Sequence, residues 1–304
     1  MQPPTPPSQE LLDSSTRILA LFGAGLSAAS GLPTYRSPSS FWRAYSGAQL
    51  ATFQKFSGGP ALVWRYYEWS RAKALAAAPN EAHVALARLA RVNGGLVAVN
   101  QNAGWWVVRL CKRAGHPATQ IVDFHGLLFR VRCVDDVCGY EVEDFTCPIT
   151  PALALPSGVD VAGASVPLPD IGVDELPHCP KCESNLLRPA VLWFGEGVPE
   201  DREEKVEKWL QGKLIDFETE ETAATEDRVT DVDLMLVVGT SAVVYPAVVY
   251  IAKARERGAR VAFFNMEVKS AGIARPEAGD WSFVGDATVL VPQALEPFLN
   301  SIGQ

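Results

Sequence analysis

The sequence predicts an α/β protein in which a parallel sheet flanked by helices is interrupted by a small inserted module. Three observations carry that prediction. Short apolar runs at 18–22, 96–99, 234–238 and 261–264 each end at turn or polar residues. Helical patterns lie between those runs, the alternation of a parallel sheet. Residues 130–190 then break the pattern with paired cysteines and a Pro/Gly/Ala-rich stretch from Pro148 to Pro169. A chain of 304 residues, 48% hydrophobic, can bury one large core and a small satellite unit. The expected division is a disordered tail at 1–14, one discontinuous sheet domain at 15–130 and 186–304, and the module at 131–185.

The first ten residues hold four prolines and no basic residue. They lack the charged start and apolar middle of a secretory signal, and the arginines of a transit peptide. The run at 18–22 reads as a buried strand and leads into Gly23-Ala24-Gly25-Leu26-Ser27-Ala28, a G-x-G-x-x-A spacing. Glycines there allow a tight turn and close approach to a ligand, and small Ala28 lets the following helix pack near the strand. Exposed N–H groups at the helix start would face a pyrophosphate. The same spacing also suits a strand-to-helix turn that binds nothing. No carboxylate stands about 20 positions on, where a dinucleotide dehydrogenase would hold the ribose; that stretch reads Arg43-Ala44-Tyr45-Ser46. Asn80 is placed to cap a helix whose apolar face holds Ala82, Leu86, Leu89 and Ala90. Pro246 stands at a first helical position for 247–257. Between Asp216 and Asp231, Glu218, Glu220, Glu221, Glu226 and Asp227 crowd into what reads as a solvated, mobile insertion.

A net charge of −8 provides no global positive field for nucleic acid or an anionic membrane, and basic, lysine-rich partners are better tolerated. No run approaches the roughly 18 to 20 apolar residues of a membrane span. Six cysteines without a secretion signal argue for a metal site in a reducing compartment rather than a disulfide scaffold. Cys133-x4-Cys138 and Cys179-x2-Cys182 form two thiolate knuckles able to close a tetrahedral structural zinc site. Cys147 could replace Cys138, Cys111 reads as part of a helix, and free buried cysteines are the alternative. His125, next to Gly126 at an element edge, is a candidate general base.

The stretch from Gly23 through Ser30-Gly31-Leu32-Pro33-Thr34-Tyr35-Arg36 resembles the NAD-binding signature of the sirtuins, the NAD-dependent protein lysine deacylases. The string from His125-Gly126 to Cys133 resembles that family's catalytic base followed by its cysteines. Val191-Leu192-Trp193-Phe194-Gly195-Glu196 and Gly239-Thr240-Ser241-Ala242-Val243-Val244-Tyr245 resemble the segments flanking an acyl-lysine peptide, which adds between them as a strand. In family order these fragments span nearly the whole chain. The resemblance implies a Rossmann-like NAD domain with a zinc-binding module, and it assigns His125 and Asn102 to catalysis. It assigns Gly23, Ala24, Gly25, Ser27, Thr34, Tyr35, Arg36, Gln101, Asn102, Gly239, Thr240, Ser241, Asn265, Glu267 and Ala287 to NAD. Tyr67, Arg71, Val191, Trp193, Phe194, Gly195, Val244 and Tyr245 fall to the substrate, and Cys133, Cys138, Cys179 and Cys182 to zinc. It further implies that the acyl oxygen attacks the nicotinamide ribose as nicotinamide leaves. His125 then deprotonates a ribose hydroxyl, and the acyl group passes to ADP-ribose. The expected partners are acyl-lysine proteins or peptides, with no nucleic acid or membrane and a monomeric chain. The tail points to cytoplasm or nucleus, the resemblance also to mitochondria.

Two segments depart from the family pattern. After Gln101-Asn102 the family carries an aspartate that grips nicotinamide, and aligning Leu110 and Ala114-Gly115 puts Val108 in its place. An impaired NAD or ADP-ribose-binding interaction module is therefore the alternative to an active deacylase. Thr34 and the helix around Tyr66-Tyr67 resemble the branch that removes succinyl, malonyl and glutaryl groups. That branch meets the distal carboxylate with Tyr-x-x-Arg. Here Ser70 stands at the arginine position, and Arg71, one residue later, could still reach the pocket; a surface arginine on a helix whose aromatics are core is the alternative.

Overall fold

The structure is a computed structural model describing residues 14–34, 41–101, 106–215, 222–223, 231–267 and 269–301. Six parallel strands form its main sheet: β1 (Ile18–Phe22), β2 (Leu96–Asn100), β3 (Ile121–Asp123), and, after an insertion, β7 (Leu234–Val238), β8 (Arg260–Asn265) and β9 (Trp281–Val284). Their order is β9-β8-β7-β1-β2-β3. The chain thus winds outward from β1 in one direction and resumes on its other side, a Rossmann-like arrangement with its switch point between β1 and β7. Phe22 pairs with both Asn100 and Val238, and Val238 with Phe264, so the carboxyl ends of the strands form one edge.

Every residue of β1 is buried because both sheet faces are covered. Ile18, Ala20 and Phe22 join Leu86 and Leu89 of α2 (Glu81–Val92), Cys111 of α3 (Trp106–Arg113) and Leu295 of α6 (Ala287–Ser301). Leu19 and Leu21 face the other way, toward Trp209 of α4 (Glu200–Leu210) and Ile251 of α5 (Val249–Arg255). The predicted cap holds: Asn80 Oδ1 accepts the N–H groups of Ala82 and His83 at 3.1 and 3.3 Å. Pro246 is not a first helical residue, since helix α5 starts at Val249 after a turn.

The insertion is built on a three-stranded antiparallel sheet, β5-β4-β6, from β4 (Gly126–Cys133), β5 (Glu141–Glu143) and β6 (Leu187–Val191). Its core is not confined to 131–185. Helix α1 (Pro60–Ala76) contributes Trp64, Tyr67 and Trp69 to the apolar cluster that holds Leu128, Phe129, Cys133 and Cys179. Trp64 Nε1 donates to the Leu187 carbonyl at 3.0 Å, and Trp69 Nε1 to Asp160 at 2.9 Å. Within the acidic stretch expected to be a mobile loop, Thr222–Ala223 pairs antiparallel with Leu214–Ile215, and most of the remainder lies outside the described residues. Among the described residues no helix is long and apolar enough to cross a membrane.

Candidate active site

The loops leaving β1, β2, β3 and β7 meet at the carboxyl edge beside the switch point, where open α/β sheets bind ligands. Gly23 N–H donates to the Val238 carbonyl at 2.9 Å and Gly25 N–H to the Gly239 carbonyl at 2.8 Å. A Cβ on Gly23 would sit 2.5 Å from the Gly239 carbonyl oxygen and from Thr240 Cβ. One on Gly25 would sit 2.8 Å from Gly239 Cα. Close packing of two loops therefore already demands these glycines, and the Gly25 N–H is used within the protein. The helix expected after them is a 3-10 turn, Ala24–Ser30.

Gln101 ties the edge together. Its N–H donates to the Phe22 carbonyl at 3.0 Å, its Oε1 accepts from Thr240 Oγ1 at 3.1 Å, and its own carbonyl accepts from His125 Nδ1. Because a carbonyl can only accept, Nδ1 carries the hydrogen and the neutral ring leaves Nε2 as its basic nitrogen. Burial lowers the His125 pKa, with the hydrogen bond to Gln101 opposing it. The imidazole is thus uncharged at neutral pH. Gln101 Nε2 is buried and has no partner among the described residues. An unmatched donor of this kind fits an oxygen-rich ligand at the edge, as NAD would be.

Gly126 explains why glycine follows the histidine. Its φ is +75°, and a Cβ would lie 2.2 Å from the Ala190 carbonyl oxygen. Gly126 pairs with Val191, and Leu192 N–H donates to the His125 carbonyl at 2.9 Å. The candidate base therefore stands on the seam between the two sheets, directly beside the strand leading to Trp193 and Phe194. Nearby, Asn100 Nδ2 donates to Asp123 at 2.8 Å. Burial lifts the Asp123 pKa to about 6 although that hydrogen bond pulls it down.

The 193–196 turn is held from several sides. Arg188 and Glu196 form a two-pronged pair, Nη2 to Oε2 at 3.0 Å and Nη1 to Oε1, and the Arg188 guanidinium lies 3.4 Å from the Trp193 ring centroid. Glu196 accepts Trp193 N–H at 2.8 Å, and Trp193 Nε1 donates to Tyr67 Oη at 2.8 Å. The resemblance assigns Trp193 to the substrate. Trp193 is 1% exposed and packs against Phe56, whereas Phe194 is 56% exposed. Gly195 takes φ +95°, and Val191 is buried. Val244 and Tyr245, on the loop after β7, are exposed at 37% and 68%.

Arg71 does not offer a free cation to an acyl group. Fully buried, it donates from Nη1 to the Leu128 carbonyl at 3.0 Å and from Nη2 to the carbonyls of Asp144 and Thr146 at 2.7 Å. It also lies 3.8 Å from the Glu68 carboxylate. Ser70, on the same helix, is turned inward and donates to the Tyr66 carbonyl at 2.9 Å.

The four predicted cysteines converge. Their sulfurs lie within 4.8 Å of one another, with Cys133 to Cys182 at 3.8 Å and Cys138 to Cys179 at 3.7 Å. Four sulfurs at about 2.3 Å from a tetrahedral zinc stand about 3.8 Å apart, so this donor set fits the ion. Cys147 is not an alternative ligand here, because its thiol donates to Glu68 at 2.7 Å.

Other predicted residues separate. Asn265 and Glu267 line one pocket with Phe263, Ser282 and Phe283. Ala287, in contrast, turns into the core at the start of α6. Ala24, Thr34 and Ser241 are half-buried. Val108, aligned with the missing aspartate, is 1% exposed in the apolar core with Phe22, Leu26 and Cys111. A carboxylate at that place would lie among hydrocarbon. Tyr35, Arg36 and Asn102 lie outside the described residues. Sequence reasoning missed His83, Arg188 and Glu196. The only signal was the N3 position of His83 after its cap; nothing marked Arg188 and Glu196 as a pair.

Residues 23–246 match the Sir2 family. A protein of Candida albicans named NAD-dependent protein deacylase is 34% identical, covering 97% of each chain. A dog protein named NAD-dependent protein deacylase sirtuin-5, mitochondrial, is 34% identical over 95% of this chain and 84% of its own. Among solved structures, a complex of a Sir2 homolog with NAD superposes with a TM-score of 0.73 at 28% identity, covering 97% of this chain and 93% of that one. With the match running from the first cradle glycine to the loop after β7, this chain belongs to the Sir2 family.

Proposed function

We infer that this protein is an NAD-dependent protein-lysine deacylase that transfers the acyl group to ADP-ribose and releases nicotinamide. The observation that carries the reading is the His125 tautomer. The Gln101 carbonyl holds the Nδ1 hydrogen, and the basic Nε2 remains available on the seam between the two sheets. NAD, when bound, supplies an electrophilic ribose carbon for the acyl oxygen. Gly23, Ser27, Gln101, Thr240, Asn265 and Glu267 are the residues we assign to it, together with Tyr35, Arg36 and Asn102.

His125 Nε2 takes the proton of a ribose hydroxyl, and the Gln101 carbonyl stabilises the imidazolium that results. Phe194, Gly195, Val244 and Tyr245 form the exposed apolar borders that an acyl-lysine strand would cover. Main-chain pairing there reads backbone more than sequence. The four cysteines hold zinc in a closed shell, which leaves it no open position for chemistry.

The test is nicotinamide release from NAD with an acyl-lysine peptide, beside calorimetric ADP-ribose binding. Wild-type protein is expected to bind and turn over. His125→Ala should bind ADP-ribose normally and lose about 10²- to 10⁴-fold in rate, the range of a general base. Binding without turnover by wild type would instead favour the interaction module. That module remains the alternative because no aspartate follows Gln101-Asn102 before Ala114-Gly115.

A further inference from the structure

Beneath the cradle, the start of α2 grips the 3-10 turn at three points. Asn80 Nδ2 donates to the Leu26 carbonyl at 2.9 Å and to Ser30 Oγ at 3.1 Å, and His83 Nε2 stands 3.0 Å from Ser27 Oγ. The other ring nitrogen, Nδ1, is 3.2 Å from the Asn80 main-chain nitrogen. A main-chain N–H can only donate, so Nδ1 must hold its lone pair. The hydrogen of the neutral ring then lies on Nε2 and points at Ser27. A protonated ring would set two N–H groups against each other at Nδ1. Full burial likewise keeps the ring neutral, with its pKa lowered to about 4.

The direction of that hydrogen bond decides what Ser27 can do. With Oγ already accepting from His83, the serine cannot return its hydrogen to the ring. No acceptor for that hydrogen is found among the described residues. A serine in a helical turn often donates back to a carbonyl three or four residues earlier; among the described residues Ser27 Oγ makes no such bond, its one partner being His83 Nε2. We propose that His83 is a positioning residue for the cofactor loop: by donating to Ser27 Oγ it commits the serine hydroxyl to donate outward, to a pyrophosphate oxygen of the dinucleotide. This rests on the assignment of Ser27 to the NAD site.

Long-range nitrogen–proton NMR of the wild-type protein without ligand should show His83 as the Nε2–H tautomer at pH 7. An Nδ1–H tautomer would overturn the proposal without any mutant. ADP-ribose affinity is then measured by calorimetry for Ser27→Ala, His83→Leu and the double variant. A hydrogen bond to a charged group corresponds to about tenfold or more. Each single variant should weaken binding by about that factor, and the double no further than either. Losses that multiply in the double variant would show that His83 does not act through Ser27, and would sink the idea. His83→Gln, which can accept at one end and donate at the other, should recover most of the affinity. No recovery in a protein that melts like wild type counts against the positioning role. If Ser27→Ala binds like wild type, the assignment of Ser27 to the cofactor fails first. Failure of wild type to bind ADP-ribose removes the deacylase reading itself.

Discussion

Arg71 shows how one side chain changes meaning once its surroundings are known. Its guanidinium lies in the core of the small unit, bridging the carbonyls of Leu128, Asp144 and Thr146 beside the buried Glu68 carboxylate. Removing one member of a buried ion pair costs about 3 to 5 kcal/mol, because the other charge is left stranded. We predict that Arg71→Met lowers stability by about that amount in denaturant melts, and lowers turnover of acetyl- and succinyl-lysine peptides alike. Loss of succinyl turnover alone would return Arg71 to the acyl pocket. His125 gives a second residue-scale prediction. With its pKa held below the ordinary value of about 6.5, kcat/KM should be flat through neutral pH and fall only under more acidic conditions. An acid limb centred above 6.5 would contradict a buried, neutral base.

At the scale of elements, the cradle is a contact between two loops before it is a ligand site. A methyl group on Gly25 would press into Gly239, and overpacking of this kind costs about 1 to 3 kcal/mol. Gly25→Ala should therefore lower the melting temperature and weaken ADP-ribose binding together; unchanged melting with lost binding would show that the glycine serves the ligand alone. The central strands were legible because burial on both faces writes them as unbroken apolar runs, as in Leu234–Val238. Strand β9 left no such run. It lies at the sheet edge, and its residues alternate between buried and more exposed, so no unbroken apolar run marks it. The zinc cysteines and the His-Gly pair were legible from spacing and order. His83 was not, because a histidine on the apolar face of a capped helix looks like packing until its two hydrogen-bond partners are known. Arg188 and Glu196 stand eight positions apart across a turn, a pairing no local periodicity signals.

Across the whole molecule, the buried titratable groups set how stability follows pH. His83 and His116 are both pushed down to about 4 by burial. The unfolded chain takes up those protons below about 6.5, so from pH 6.5 down to 4 it binds more protons than the native state and stability falls. Asp123 acts in the opposite sense. Its folded pKa near 6 means that the native state binds more protons between about 4 and 6, and the contribution is lost as pH rises. His125 is shifted in the same sense as those two histidines and Glu68 in the same sense as Asp123; the three histidines outnumber the two carboxylates, so we predict a lower melting temperature at pH 4.5 than at pH 7. An unchanged or higher value at pH 4.5 would contradict this balance. Asp123→Asn should gain stability at pH 7 relative to wild type and lose that advantage below about pH 5. Zinc should also act beyond its ligands. Because Cys133 and Cys179 share a core with α1, stripping the metal by chelation should lower the melting temperature and loosen Trp64 and Trp69, seen as a red shift in tryptophan emission.

The seam at Gly126 bears on modularity. The second sheet joins the first through two residues, Phe124 and His125: directly after His125 the chain is already paired with Val191, and Leu192 returns to the His125 carbonyl. A cassette cut at 131 and 185 would leave behind α1, Trp64, Trp69 and two of its three strands. A transplantable unit would instead need 41–77 together with 126–191, and its splice point would fall beside His125, the candidate base. Changes in length are therefore expected to be borne better at the outer turns of the insertion than at the junction beside His125.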